Sequence, residues 1–377
     1  MQNFQYYNPV QIIFGAGEVT KLPQISSKFG SRPLVMFGKS SAQKSGLADR
    51  VLKLLTDSGL DPVPFFGIEP NPRVTSCDAA AQLAREKSCD MVIAVGGGSV
   101  MDAAKITSAA IVTGQPTWDH VLRKASNDVA LPIIMVPTIA ATGSEFNWGA
   151  VISNWETHQK LSAYSLAFFP KVSIIDPELQ VTTPPNTTAY GGIDIMIHVL
   201  ETYLSSPDEN SPIQDRITEG VCKTVIQYLP IAMQDGLDVN ARAQLAWASA
   251  VALCGLPNAG RPGGFVIHWM EHVMSAHYDI PHGLGLAYLL VPMLSYFQHH
   301  FPKRFELYRE NIIEDTENFL RSVGCLTNLG GLGIPESFAQ KFADDLFDQK
   351  SVDGVLPGYP GLTKQAAMNI LLGYRNY

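Results

Sequence analysis

Hydrophobic positions in the first half of the chain form short runs that alternate with stretches of helical periodicity. The run 91–95, Met-Val-Ile-Ala-Val, is apolar throughout, which is typical of a strand buried on both faces. Comparable runs predict strands at 33–37, 61–67 and 132–136. The intervening pattern predicts helices at 48–58, at 74–87 and in a stretch ending at 111. Strand and helix in turn indicate right-handed βαβ units, so we predict an α/β domain with a parallel sheet.

The pattern changes after Asp176-Pro177, and from there the sequence is helical almost throughout. Pro184-Pro185-Asn186-Thr187 predicts the first helix start of this region. We predict helices at 187–205, 212–228, 239–254, 264–277, 283–298, 303–324, 336–347 and 363–375. The chain is therefore divided into an α/β domain, residues 1–180, and an all-α domain, residues 181–377.

Composition indicates extensive burial. Of 377 residues, 46% are hydrophobic and only 16% are charged, which predicts a large core, a subunit interface or both. We therefore expect a homodimer. The net charge of -8 repels phosphate backbones, so nucleic acid is not expected as a partner.

The five cysteines are scattered, and their odd number argues against a disulfide framework. Reduced thiols fit a cytoplasmic location. Residues 1–15 contain neither a basic start nor a long apolar run, so we predict no signal peptide and no membrane-spanning helix.

Two segments hold five of the nine histidines. In the first, Asp194 and His198 are four residues apart and would share one face of a helix. The second segment contains His268, His272, His277 and His282. One carboxylate and several imidazoles suit Zn²⁺ or Fe²⁺, so we predict a metal site. Spacing leaves open which of the four later histidines complete it, and a single Asp-x-x-x-His pair is also a common feature of ordinary helices.

Gly96-Gly97-Gly98-Ser99 lies between a predicted strand and a predicted helix. Such a turn lets the backbone approach a phosphate, and the helix start adds free N–H groups and the positive end of the helix dipole. The Gly-x-Gly-x-x-Gly fingerprint is absent, and a tight turn without a ligand is the alternative. Three successive glycines exceed the need of such a turn, which favours phosphate binding. The polar loop 137–145 is a second candidate, although a loop that merely caps a helix would look the same.

These motifs, in their order and spacing, resemble the iron-containing (group III) alcohol dehydrogenases over essentially the full chain, in the branch of butanol dehydrogenases and NADPH-dependent aldehyde reductases. The resemblance is carried by Gly15-Ala16-Gly17, Glu69-Pro70-Asn71-Pro72, Gly96 to Ser99 with Asp102, the loop 137–145, Lys160, Asp176-Pro177, Asp194-x-x-x-His198, and His268 through His282. It implies a dinucleotide-binding α/β domain and a helical metal-binding domain with the active site between them. It also implies a metal-dependent, NAD(P)-linked reaction of a small alcohol or aldehyde.

By position, the resemblance assigns four ligands to a divalent metal, Fe²⁺ or Zn²⁺: Asp194, His198, His268 and His282. It places His272 and His277 near the nicotinamide and the substrate as polar or proton-relay groups, which makes them the expected catalytic residues. The implied cofactor contacts are Asn71, Gly97, Gly98, Ser99, Asp102, Thr138, Thr142, Ser144 and Lys160.

The turn after the first predicted strand, Gly38-Lys39-Ser40-Ser41, predicts a preference for NADP(H) over NAD(H). NAD-selective sites commonly place an acidic side chain there for the ribose 2′-hydroxyl, and this turn has none. Lys39 can pair with a 2′-phosphate, and Ser40 and Ser41 can donate to it. In members of the resembling family that prefer NAD, an Asp stands where Lys39 aligns. A solvated loop lysine is the alternative for Lys39 itself.

Two alternative functions explain parts of the pattern. An enzyme of the same fold with a phosphorylated or polyol substrate, similar to glycerol-phosphate dehydrogenase or dehydroquinate synthase, needs basic side chains for an anionic substrate. Residues 264–300 contain no Lys or Arg, which argues against it. A non-catalytic, metal-stabilised binding protein explains the histidines but not the glycine turn.

Overall fold

The computed structural model of the protein describes residues 1–206, 211–306, 312–359 and 361–375. Its strands are β1 (Gln11–Phe14), β2 (Pro33–Gly38), β3 (Val63–Ile68), β4 (Met91–Gly96), β5 (Ile133–Pro137), β6 (Gly149–Asn154), β7 (Gln159–Tyr164) and β8 (Val172–Ile175). The helices of the amino-terminal half are α1 (Leu22–Ser26), α2 (Ser41–Lys44), α3 (Leu47–Asp57), α4 (Val74–Glu86), α5 (Gly98–Thr113) and α6 (Thr117–Val121).

Within the described residues, six strands form one parallel sheet in the order β1-β8-β5-β4-β2-β3. Leu34 and Met36 of β2 pack in a hydrophobic cluster with α4 and α5. Val35 and Phe37 of the same strand pack in a second cluster with α1 and α3. Both faces of the sheet are therefore covered, which explains why its strands read as unbroken apolar runs. The predicted α/β domain with a parallel sheet is confirmed.

Two features of this domain were not predicted from the sequence. The short strands β1 and β8 pair with each other at one end of the sheet. The strands β6 and β7 form an antiparallel hairpin. The hairpin lacks the alternation of apolar and polar residues that marks a strand, and it contains the buried Lys160, so its pattern gave no strand signal.

The second half of the chain is mostly helical, as predicted. Its helices are α7 (Pro185–Ser205), α8 (Pro212–Gln234), α9 (Val239–Ala252), α10 (Val266–Tyr278), α11 (His282–His300), α12 (Pro302–Glu306), α13 (Ile312–Ser322), α14 (Ala339–Lys350) and α15 (Lys364–Leu371). The last helix ends four residues before the predicted position, ahead of Gly373, whose φ of 77° is left-handed. Residues 307–311 of the predicted helix 303–324 lie outside the described residues.

The domain boundary predicted at residue 180 falls between the end of β8 at Ile175 and the start of α7 at Pro185. It stays a prediction. The two domains meet where α10 packs against β7 of the hairpin. Among the helices that the structure describes, none combines the length and the apolar character needed to cross a bilayer.

Candidate active site

Asp194 and His198 lie one helical turn apart on α7, as their spacing predicts. Both residues are buried, with 2% and 6% of their surface exposed. The Nδ1 atom of His198 lies 2.9 Å from the carbonyl oxygen of Asp194 and 3.1 Å from its Oδ1. The neighbouring residues of α7 are apolar, so a buried carboxylate here needs compensation from nearby polar groups or from a cation.

His268 on α10 and His282 at the start of α11 approach the same carboxylate. Their Nε2 atoms lie 3.3 Å and 3.9 Å from Asp194 Oδ1. Two ligand atoms that each stand about 2.1 Å from one ion at a tetrahedral angle are roughly 3.4 Å apart. The centroid of the His198 ring lies 4.3 Å from that of His268. The structure therefore brings Asp194, His268 and His282 together at a spacing that suits one cation, and the His198 ring lies against that of His268.

The imidazole rings of His198, His268 and His282 are held through their Nδ1 atoms. The Nδ1 atom of His268 is bonded to the Glu201 carboxylate, and that of His282 is bonded to the Glu271 carboxylate. Nδ1 of His198 faces a backbone carbonyl. These partners favour a proton on Nδ1, so that a neutral ring would offer the Nε2 lone pair to a metal. One carboxylate and three such imidazoles fit Zn²⁺ or Fe²⁺.

Charges around the cluster determine its protonation. Burial alone would raise the pKa of Asp194, but His198 and the hydrogen bond from His268 outweigh it and hold this pKa below its usual range. Burial lowers the pKa of His198 to about 3, so this ring is neutral near pH 7. Burial also opposes protonation of His268, but Glu201 and Asp194 raise its pKa to about 10. If His268 bound a metal, it would therefore release a proton.

His272 lies beside this cluster. It is 5% exposed, and its ring centroid is 5.8 Å from that of His282. Its Nδ1 atom is buried without a hydrogen-bond partner in the part of the chain that the structure describes. Burial, followed by the charge of Lys160, lowers the pKa of His272, so the ring is neutral. A neutral ring with an unused nitrogen can accept a hydrogen bond from a group that enters the cleft.

His277 lies in different surroundings. Its Nε2 atom is 2.8 Å from Asp345 Oδ2, and its ring stacks on that of His158 with centroids 4.7 Å apart. Its ring also contacts Phe338. The structure thus brings His272, but not His277, into contact with the predicted ligands.

Apart from Asp102 in α5 and Lys160 on β7, the predicted cofactor contacts lie at one edge of the sheet. They follow the strands as residues 38–41 after β2, Asn71 after β3, 97–99 after β4 and 138–144 after β5. Because these strands are parallel, their carboxyl ends meet at the edge where α/β sheets bind nucleotides. Lys39 is exposed there, and α5 begins there at Gly98. The amino end of α5 is therefore available to an anion.

Four of the predicted cofactor contacts also have a structural role, as two pairs that contact each other. A Cβ atom on Gly98 would lie 2.4 Å from the Thr142 side chain, so glycine is required for the packing of the two loops. Ser144 Oγ donates to Asp102 Oδ1 at 2.6 Å, and the Val151 backbone N–H donates to the other carboxylate oxygen at 2.9 Å. Asp102 and Ser144 thus join the loop after β5 to α5 and to the hairpin.

Asn71 and Lys160 connect the two domains. The Nζ atom of Lys160 lies 2.8 Å from Asn71 Oδ1 and 3.1 Å from Glu271 Oε2 on α10. The amide of Asn71 donates to Asp279 Oδ1 at 3.1 Å. Arg73 also pairs with Asp279, at 3.0 Å. Asn71 and Lys160, which are both predicted cofactor contacts, are thus anchored to the helical domain.

Sequence reasoning missed three buried residues that support the site. Glu201 follows His198 by three residues, and Glu271 follows His268 by three. An acidic residue within one turn of a candidate ligand, on an apolar helix, is the signal that could have identified both. Ser249 accepts two backbone N–H groups of the loop after β5, each at 3.1 Å, and its sequence context gave no such signal.

Family models match almost the whole chain. The model described as "Iron-containing alcohol dehydrogenase" matches residues 9–177, and "Fe-containing alcohol dehydrogenase family, C-terminal" matches residues 188–370. The chain is therefore an oxidoreductase of the alcohol dehydrogenase class. It belongs to the iron-containing alcohol dehydrogenase family.

Individual relatives specify the branch. The chain is 36% identical to the probable NADH-dependent butanol dehydrogenase 1 of Bacillus subtilis, over 98% of this chain and 99% of that protein. It is 33% identical to the NADPH-dependent aldehyde reductase YqhD of Escherichia coli, over 89% and 91% of the two chains. The crystal structure of NADH-dependent butanol dehydrogenase A from Thermotoga maritima matches with a TM-score of 0.93 and 34% identity, over 98% of both chains. The chain thus falls in the butanol dehydrogenase and aldehyde reductase branch.

Proposed function

We propose that the protein is a metal-dependent alcohol dehydrogenase and aldehyde reductase that uses NADP(H) and a small alcohol or aldehyde. The observation that carries the proposal is the convergence of one carboxylate and three imidazoles, each with Nδ1 facing an oxygen acceptor, beside the domain that carries the cofactor-binding edge. The names of the relatives, butanol dehydrogenases and aldehyde reductases, support the same chemistry.

Asp194, His198, His268 and His282 would hold the divalent cation, and the donor set suits Fe²⁺ and Zn²⁺ alike. The cation, when bound, would supply Lewis acidity toward the oxygen of the alcohol or aldehyde. The nicotinamide would supply or accept the hydride. The chain itself fixes the ligand rings through Nδ1 and holds the two domains together, which keeps the reacting groups within reach.

We assign the proton-relay role to His272. Its buried, neutral ring and its unpartnered Nδ1 suit the exchange of a proton with a substrate hydroxyl. The same role predicted for His277 stays a prediction, and the bond of His277 to Asp345 does not support it.

The proposed preference for NADP(H) rests on this chain's own residues, because relatives named for each cofactor match it. Lys39 is exposed immediately after β2, where the adenosine ribose is expected. Ser40 and Ser41 follow it, and residues 38–41 contain no acid to repel a 2′-phosphate.

We further propose a cytoplasmic homodimer. Cys77, Cys89, Cys222, Cys254 and Cys325 are all free thiols. Unpaired thiols are typical of reducing compartments.

Oxidation of NADPH in the presence of butyraldehyde tests the function. We expect the wild type to turn over. His268→Ala should lose both this activity and the bound metal. His272→Ala should keep the metal but turn over more slowly, by about 10²-fold or more if a proton relay is lost. His299→Ala, which changes an exposed histidine, is the control and should behave as wild type. Full activity of His268→Ala, or loss of metal in His272→Ala with retention in His268→Ala, would contradict the assignment.

A further inference from the structure

The proposed ligands His268 and His282 are supported in different ways. His268 is held by Glu201, which also accepts the backbone N–H groups of Ile267 at 2.7 Å and His268 at 3.2 Å. All of these groups belong to the helical domain. His282 is held by Glu271, and one partner of Glu271 comes from the other domain.

Glu271 is fully buried, and the described contacts engage both of its oxygens. One oxygen accepts the Ser275 hydroxyl, and the other accepts Nδ1 of His282 and the ammonium of Lys160. The Nζ atom of Lys160 also lies 3.3 Å from Nδ1 of His282. A lysine, a carboxylate and a ligand ring therefore meet at one point.

Lys160 reaches this point from β7 of the hairpin, in the nucleotide-binding domain. Its side chain is 5% exposed and is fixed by Asn71 as well as by Glu271. A buried carboxylate without a partner is costly, so the lysine stabilises Glu271. A positive charge close to a cation site also repels the cation, and the burial of Lys160 weakens the screening of this repulsion by water.

We propose that Glu271 is a positioning residue for His282, and that Lys160 neutralises Glu271 so that the nucleotide-binding domain tunes the affinity of the metal site. This inference rests on the proposed metal site. Glu271 gives the His282 ring its direction by accepting Nδ1–H. Lys160 removes most of the negative charge that Glu271 would otherwise add near the cation. Glu201 has no such lysine among its described partners, so His268 retains the full effect of its carboxylate.

Titration with Co²⁺ tests this inference, because the visible absorption of bound Co²⁺ reports the coordination geometry. Metal-free wild type is compared with Glu271→Leu, Glu271→Gln and Lys160→Met. Ser275→Ala is the matched control, since it removes a different partner of the same carboxylate. Thermal unfolding of each variant without metal checks that it folds.

We expect Glu271→Leu to weaken Co²⁺ binding by about 10- to 100-fold and to alter the visible spectrum at saturation. Glu271→Gln keeps an oxygen for the His282 N–H and should retain the wild-type spectrum. Lys160→Met should bind Co²⁺ more tightly, by about threefold or more, because a nearby positive charge is removed. Ser275→Ala should stay within about twofold of wild type.

Glu271→Leu and Lys160→Met are expected to change Co²⁺ affinity in opposite directions, which distinguishes tuning from a purely structural role. A purely structural role would weaken Co²⁺ binding in both variants. Weaker or unchanged Co²⁺ binding in Lys160→Met overturns the tuning role, even if Glu271→Leu fails to fold. Wild-type affinity and spectrum in Glu271→Leu, or an equal loss in Ser275→Ala, overturns the positioning role. A wild type that does not bind Co²⁺ stoichiometrically overturns the metal site itself, and the inference with it.

Discussion

Buried charges lie beneath the nucleotide-binding edge as well as around the metal ligands. Lys105 of α5 is fully buried and donates to Asn147 Oδ1 at 2.9 Å and to the Gly149 carbonyl at 2.7 Å. Burial lowers its pKa to about 8. Glu145, in the loop after β5, is 2% exposed, and burial raises its pKa from 4.5 to about 7 against the opposing charge of Lys105.

Glu145→Gln isolates the cost of burying this acid. The unfolded chain ionises Glu145 near pH 4.5 and the folded protein near pH 7, so stability falls as the pH rises between these values. Above pH 7 the wild type carries a penalty of roughly 3 kcal/mol that the variant lacks. We expect the Tm advantage of Glu145→Gln to be small near pH 5 and several degrees larger near pH 8. A Tm advantage of Glu145→Gln that is equal at pH 5 and pH 8 would contradict the raised pKa of Glu145.

Lys39 is the residue on which the cofactor preference depends most. If its ammonium pairs with the 2′-phosphate, Lys39→Asp should lower kcat/KM for NADPH by about 10-fold or more, because an attraction becomes a repulsion. The value for NADH should change little. Lys28→Asp makes the same charge change at an exposed site before β2 and is the control. A higher kcat/KM for NADH than for NADPH in the wild type, or an unchanged ratio in Lys39→Asp, would refute the preference.

At the scale of secondary-structure elements, a close helix contact sets the position of His282. The next residue, Gly283 of α11, lies against α7 so closely that a Cβ atom would be 2.2 Å from the Tyr190 carbonyl oxygen. Because this oxygen belongs to the backbone, it cannot move aside as the end of a flexible side chain could. The contact therefore holds His282 close to Asp194, which lies on the same helix as Tyr190.

Gly283→Ala should push α11 away from α7. We expect a Tm several degrees below wild type and weaker metal binding, because overpacking costs about 1–3 kcal/mol and displaces the ligand. Gly220→Ala is the matched control, since this helical glycine of α8 has open space around it. Alanine there should be neutral or stabilising by up to about 1 kcal/mol. Equal effects of the two substitutions would show that the contact does not position the site.

Some secondary-structure elements and metal ligands were predictable from the sequence pattern alone, and others were not. The buried strands and the long helices were predictable because their apolar pattern is continuous. The spacing of Asp194 and His198 predicted a shared helix face, whereas the choice of His268 and His282 depended on the family resemblance. The contact between Lys160 and Glu271 joins residues 111 positions apart, in an unpredicted hairpin and on a helix of the other domain. Local patterns contain no information on such a contact.

At the scale of the whole molecule, exposed aromatic residues lie at one end of the sheet. Strand β1 lies at one end of the sheet and has no strand on its outer side among the described residues, and such an edge commonly pairs with another chain. Phe14 of this strand is 40% exposed and contacts Trp247, which is 45% exposed. An exposed aromatic pair beside an open strand is typical of a surface that is covered by another subunit.

We expect light scattering at micromolar concentration to give the mass of a dimer. Phe14→Asp should shift the protein toward the monomer, because a charge would be buried in the interface. Leu237→Asp, at a residue that is 72% exposed, is the control and should leave the mass unchanged. A monomeric wild type would contradict the predicted dimer.

We propose that aldehyde reduction depends on a cation held by Asp194, His198, His268 and His282. The most direct test adds Fe²⁺, and in parallel Zn²⁺, to metal-free protein under anaerobic conditions while bound metal and NADPH oxidation with butyraldehyde are both measured. We expect activity to rise in proportion to bound metal for at least one of the two ions and to saturate at a single ion per subunit, whereas His282→Ala should gain neither metal nor activity. Metal-free protein that is as active as the reconstituted enzyme would contradict it.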